Sequence, residues 1–407
     1  MGKYNFDEII NRENTNSVKY DLKTKFMPQA KPDSLSLWIA DMDFACAPKI
    51  ISSLHERIDR QIFGYSSEKT EDYYESVCGW FKRRFNWSID KNSIFYSPGV
   101  VPAISSLVNI LTKENEGIII QKPVYYPFEA KIKNNNRKVV NCPLKFENDR
   151  YTMDYEAFEK LAKEPSNKVF ILCSPHNPVG RVWTVEELTK IVAICKKYDL
   201  WIISDEIHCD IIRKNQKHTP LEVACSDYKD KIITCTAPSK SFNLAGMQLS
   251  NIIINNQEMQ QKWIAYNMNK LSISSPNPFA IVATKTAYND CEDWIEELNE
   301  YLDSNIQYVE NFLKEKMPHV KMIPCEGTYL IWLDFRAYGL NGKELEDIMI
   351  NKANILLDEG YIFGDEGIGF ERINIASPKS VIEECMNRIY EGFKEVPIKN
   401  KEIEALV

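Results

Sequence analysis

The chain has 407 residues, 44% of them apolar and 27% charged, which is the balance of a globular protein with room for one large domain or two ordinary ones. Its 50 basic and 58 acidic residues leave a net charge of −8, so no broad basic surface is offered to nucleic acid. No apolar run approaches the ~20 residues of a membrane-spanning helix, and residues 1–20 are too polar for a signal peptide. The eleven cysteines include no Cys-x-x-Cys pair, and the five histidines show no metal-ligand spacing. Reduced thiols, a cytoplasmic address and no metal are expected. The cluster Lys82, Arg83, Arg84 reads as a solvated helix face.

In chain order, 93–97 is a short strand, followed by a helix over 100–111 with apolar positions at Val101, Ile104, Leu107, Val108 and Leu111. Strands are expected over 117–121 and 168–173. Thr184 begins a helix, because Thr184-Val185-Glu186-Glu187 is a capping box ahead of Leu188, Ile191 and Ile194. Further strands fall at 200–204, 231–235 and 250–255. This alternation implies a mainly parallel sheet covered on both faces, with ligands beyond the carboxyl ends of its strands. A long helix around 294–316 precedes a change of texture. Strands at 329–334, 355–357 and 372–375 and a helix near 381–393 suggest a smaller α+β unit, which the first ~45 residues would join. The polar tail from Pro397 to Val407 carries little information.

Four segments after strands are rich in ligating side chains. Ser97-Pro98-Gly99-Val100-Val101 opens a helix whose free amides could hold a phosphate. Ser174-Pro175-His176-Asn177-Pro178-Val179-Gly180 fixes Asn177 as an amide donor at the sheet edge. Asp205 in Ser204-Asp205-Glu206-Ile207-His208 stands at a strand end. Lys240 in Ala237-Pro238-Ser239-Lys240-Ser241-Phe242-Asn243 lies between small hydroxyl residues, where a cleft would depress its pKa and make it a nucleophile or base. Read singly, each has an ordinary alternative: a strand–helix turn, a plain loop, a helix N-cap, a surface lysine.

Together, in this order, with 28 residues from Asn177 to Asp205 and 35 more to Lys240, they resemble the fold-type-I pyridoxal 5′-phosphate (PLP) enzymes of the aminotransferase class I/II superfamily. Within it the chain looks most like the MalY/PatB-type cystathionine β-lyases. That likeness is carried by Trp38-Ile39-Ala40-Asp41-Met42-Asp43-Phe44, Phe63-Gly64-Tyr65-Ser66, Asp205-Glu206-Ile207-His208 and Gly367-Ile368-Gly369-Phe370-Glu371-Arg372-Ile373-Asn374.

The resemblance implies an α/β fold. A large PLP-binding domain over 46–288 would have a mostly parallel seven-stranded sheet, and a small domain would combine 1–45 with 289–407. It also implies a site. Lys240 would attach the cofactor and move the Cα proton, and Asp205 would pair with the pyridine nitrogen. Asn177 would bond the ring 3-oxygen, and Tyr125 would stack on the ring. Gly99, Val100, Val101 and Ser239 would hold the phosphate, with Tyr65 reaching across from a second subunit of a homodimer. Arg372 would clamp the substrate carboxylate, aided by Asn177 and the backbone near Ala40. His208 stands where many transaminases have a tyrosine. Gln248 replaces an arginine and Ala237 a serine that many relatives use for the phosphate. The implied reaction is α,β-elimination of cystathionine or a related sulfur amino acid to a thiol, pyruvate and ammonia, within methionine biosynthesis. Transamination is the alternative, because both reactions begin with the same proton loss.

Overall fold

A computed structural model describes residues 2–399, so most of the polar tail, 400–407, lies outside the described residues. Seven strands form the main sheet: β1 (Ile94–Ser97), β2 (Gly117–Ile120), β3 (Lys138–Asn141), β4 (Asn167–Cys173), β5 (Trp201–Asp205), β6 (Ile232–Thr236) and β7 (Ser250–Ile254). Their spatial order is β1-β7-β6-β5-β4-β2-β3. All are parallel except β7, which runs antiparallel to both its neighbours. The expected mainly parallel sheet is therefore present.

Side-chain alternation along the strands explains the layering. Ile118, Ile120, Val169, Ile171, Ile203 and Ile233 pack on one face with Ile104 and Leu107 of helix α1 (Val100–Leu111). Ile119, Phe170, Leu172, Ile202 and Ile232 pack on the other with Leu188 and Ile191 of helix α2 (Val185–Lys197). Thr184 caps α2 in the capping box read from its sequence.

Helix α3 (Pro238–Ser241) follows β6, and the 25-residue α4 (Glu292–Lys316) leads out of the large sheet. A second sheet then forms from β8 (Lys321–Met322), β9 (Leu330–Asp334), β10 (Asp358–Glu359) and β11 (Phe370–Asn374), in the order β8-β9-β11-β10 and antiparallel throughout. Helices α5 (Gly342–Asp347) and α6 (Lys379–Phe393) accompany it. Leu35–Ser36 pairs in parallel with Ile355–Leu356, which ties the N-terminal segment to the C-terminal one.

One strand was not expected, and one reading needs correction. Strand β3 had no expectation, since Lys-Val-Val-Asn at a sheet edge lacks the apolar density of the inner strands. The cluster at 82–84 is not wholly solvated: Arg84 is largely buried and ion-paired with Asp210, lying over the Trp80 ring.

Candidate active site

The strand ends place the site. Gly99 lies between β1 and α1, Tyr125 follows β2, Asn177 follows β4, Asp205 ends β5, and Lys240 sits on α3 after β6. Ala40, Gly99, Val100, Val101, Tyr125, Asn177, Asp205, His208, Ser239 and Lys240 all line one cavity of about 180 Å³. Gln248 lines it too, with Cys173 and Ser250, which had no expectation attached.

Lys240 Nζ donates to the Ala40 carbonyl at 2.5 Å. Burial lowers its pKa to about 8, as the sequence reading anticipated, with Arg372 adding to the effect and Asp41 and Asp205 opposing it. The Tyr329 hydroxyl donates to the same carbonyl at 2.8 Å. Ala40 thus meets the site through an acceptor oxygen. That atom cannot hold a carboxylate, so help from this residue would have to come from its N–H.

Asp205 is buried at the end of β5 and accepts one bond from the Ile207 N–H at 3.2 Å. Burial pushes its carboxyl up to about 7. A cation placed against it would return it to the carboxylate form. His208 is buried edge-on to the Tyr329 ring, with Nδ1 unpartnered. Burial, aided by Lys240 and Arg372, holds it well below the usual imidazole pKa, so the ring is neutral.

Arg372 joins this cluster from the small sheet. Its Nη1 donates to Asn177 Oδ1 at 3.2 Å and its Nη2 to the Trp38 carbonyl at 2.7 Å. Because Oδ1 accepts from the guanidinium, the Asn177 NH₂ remains a donor. The Tyr125 N–H bonds the Asn177 carbonyl at 3.0 Å and sets the aromatic ring beside it. Arg372 also forms a buried ion pair with Asp358 and lies over the Phe363 ring. Asp358 had no role in the sequence reading. Its partnership with Arg372 depends on β10–β11 register, where the two residues are directly opposite. Arg372 Nε has no partner, which leaves donor capacity for an arriving carboxylate.

Two asparagines that close the recognised motifs have a structural purpose the sequence did not disclose. Asn243 exchanges bonds with the Met42 backbone and donates to the Phe44 carbonyl. Asn374 donates to the carbonyls of Ile39 and Asp41 at 2.7 and 2.6 Å. They lace residues 39–44 over Lys240 from two sides. Beneath Lys240, the Ser241 hydroxyl donates to Asp210, which pairs with Arg84. Tyr65 stands apart from this cluster, fully exposed and outside the cavity lining. Among the described residues no cluster of three or more metal-ligating side chains occurs.

The donor set suits PLP. The free N–H groups that open α1 match a phosphate dianion. Tyr125 offers a ring face, Asp205 a carboxyl for a ring nitrogen, Asn177 an amide donor for a ring oxygen, and Lys240 an amine for an aldehyde.

The family model for aminotransferase class I and II matches residues 32–389, and the chain belongs to that family. It is 38% identical to cystathionine β-lyase PatB of Bacillus subtilis (strain 168), over 95% of this chain and 98% of that one. Two solved structures are similar over nearly their full length. A PLP-bound Clostridium difficile 630 protein described as an aminotransferase shares 45% identity, covering 96% of this chain and 99% of that one, with a TM-score of 0.93. Cystalysin from Treponema denticola, which contains PLP, shares 42%, covering 97% and 100%, with a TM-score of 0.92.

Proposed function

We infer that this chain is a PLP-dependent carbon–sulfur β-lyase. It takes an amino acid bearing sulfur on Cβ, with one water, to a thiol, pyruvate and ammonia. The observation that supports the cofactor reading is the convergence of Lys240, Asp205, Asn177 and the α1 terminus on one cavity. The preference for elimination over transamination rests on the near-full-length likeness to PatB and cystalysin.

When bound, the cofactor supplies an electron sink that holds the pair left by the departing Cα proton until the Cβ–sulfur bond breaks. The chain's own side chains do the rest. Lys240 would anchor the cofactor and take the substrate's Cα proton on its amine, a task its lowered pKa suits. Asp205 holds positive charge on the ring nitrogen. Asn177 and neutral His208 orient the ring, Tyr125 covers its face, and Gly99, Val100, Val101 and Ser239 bind the phosphate. Arg372 takes the α-carboxylate, its donors preorganised by Asp358, Trp38 and Asn177.

The chain divides into a large unit, 46–288, and a small one, 1–45 with 289–407. It acts as a homodimer in which Tyr65 of one copy completes the phosphate site of the other, which suits its full exposure here. Among the described residues no helix is long and apolar enough to cross a membrane. A reducing cytoplasm suits eleven free cysteines, eight of them buried. Cystathionine as substrate would yield homocysteine for methionine biosynthesis.

The test is purified enzyme with L-cystathionine and no α-keto acid. Pyruvate and thiol should appear in equal amounts. Turnover that requires an added α-keto acid and yields no pyruvate would make the chain a transaminase.

A further inference from the structure

Glu371 precedes the carboxylate-binding Arg372, and Glu359 follows its partner Asp358. Antiparallel register sets Asp358 opposite Arg372 and Glu359 opposite Glu371. Since successive strand residues face opposite sides, the ion pair lies on one face of the sheet and the two glutamates lie together on the other. Directly opposite side chains have Cβ atoms roughly 5 Å apart, a spacing at which like charges destabilise the pairing.

Both glutamates are buried, Glu371 at 1% exposure and Glu359 at 8%. Neither Glu371 oxygen has a hydrogen-bond partner. Carboxylates dominate their surroundings, and Lys343 offsets the upward shift of Glu359 only in part. Glu346, from α5, adds a further negative charge and is engaged by Lys343 and the Tyr361 hydroxyl. Lys343 is itself shared between Glu346 and Tyr361. Asp358 is committed to Arg372 across the sheet. Burial and these neighbouring carboxylates hold Glu371 well above the usual carboxylate range, and burial first of all pushes Glu359 up to about 7.

The ladder that joins β10 to β11 is only two residue pairs long. Gly360, the next residue, packs so closely on Gly367 that even a Cβ would lie 1.9 Å from its carbonyl oxygen. Strand β10 therefore cannot move closer at that end, and repulsion between the glutamates acts to part the strands.

We propose that Glu359 and Glu371 form a protonation-dependent latch on the substrate clamp: protonated, they let β10 pair with β11 and hold Asp358 against Arg372, and ionised, they part the strands and loosen the clamp. This rests on the reading of Arg372 as the α-carboxylate site. The physical consequence is affinity for the carboxylate that declines on the alkaline side of neutrality, with the steps after binding unaffected.

The experiment uses holoenzyme and two probes. L-Alanine carries the α-carboxylate and no leaving group, and ethylamine lacks the carboxylate. The ratio of their affinities, read from the cofactor's absorbance, isolates the carboxylate contribution and cancels the titration of the amine. In the parent enzyme this preference should fall about tenfold from about pH 7 to about pH 9, at most one proton's worth per pH unit. In Glu371→Gln, and separately in Glu359→Gln, it should fall less than about twofold. The infrared C=O stretch of a buried carboxylic acid should be present in the parent at about pH 7 and absent or reduced in Glu371→Gln. Absence of that band in the parent, or an undiminished alkaline decline in both variants, overturns the latch. If Arg372→Ala keeps the parent's preference for alanine, the carboxylate assignment fails instead, and the infrared band survives that result.

Discussion

Lys240 and Ala40 lie 200 residues apart in the chain and meet at 2.5 Å, amine to carbonyl. The contact brings the N-terminal segment onto the nucleophile, and Asn243 and Asn374 keep that segment in place. The lysine is thereby parked on an acceptor that also serves Tyr329. On the proposed function, replacing Lys240 with Ala would remove both the cofactor anchor and the base. Pyruvate release should fall by at least about 10³-fold, since both contributions are lost together. Thermal melting should show a folded protein.

Asp205 has two separable consequences. In the holoenzyme, Asp205→Asn would remove the carboxylate proposed to pair with the ring nitrogen, and exchange of the substrate Cα hydrogen with deuterated solvent should slow by about 10²-fold or more. In the cofactor-free chain the sign is different. Burial lifts the folded-state pKa from 3.8 to about 7, so stability is lost as pH rises from about 4 towards 7, by up to about 4 kcal/mol. The Asn variant should lack that loss, and pH-dependent melting of the cofactor-free proteins measures the difference.

The buried pairing of Arg372 with Asp358 predicts that substitutions there affect folding as well as binding. Arg372→Ala should raise KM far more than it lowers kcat. It should also destabilise the protein by about 3–5 kcal/mol, because Asp358 is left buried and uncompensated. Adding Asp358→Asn to that variant should recover much of the stability and none of the affinity. Chemical denaturation of the four-member cycle reads this coupling directly.

Tyr65 is exposed and outside the cavity lining, so Tyr65→Phe should leave the isolated fold unchanged. If a second copy presents it to the phosphate, the variant should bind PLP about tenfold more weakly, the scale of a lost hydrogen bond to a charged group. Equilibrium dialysis of PLP checks this, with sedimentation to establish the dimer.

The parallel strands were legible because inner strands carry continuous apolar runs, as in Gly117–Ile120 and the Val-Phe-Ile-Leu-Cys of Asn167–Cys173. The cavity was legible because its ligands sit within a few residues of those strand ends. Asp358 was not, since its meaning depends on a two-residue cross-strand register. Tyr329 and the purpose of Asn243 and Asn374 were hidden for a similar reason: each acts through contacts with backbone 39–44, hundreds of residues distant. Arg84 looked like part of a solvated run because its partner Asp210 is remote in sequence.

Lys240 is proposed to carry the cofactor opposite Asp205. Borohydride reduction of the PLP-loaded enzyme, followed by proteolysis and mass spectrometry, tests it most directly. A pyridoxyl group is expected on the peptide containing Lys240 and on no other lysine. A label at another residue, or a chain that takes up no PLP, would contradict it.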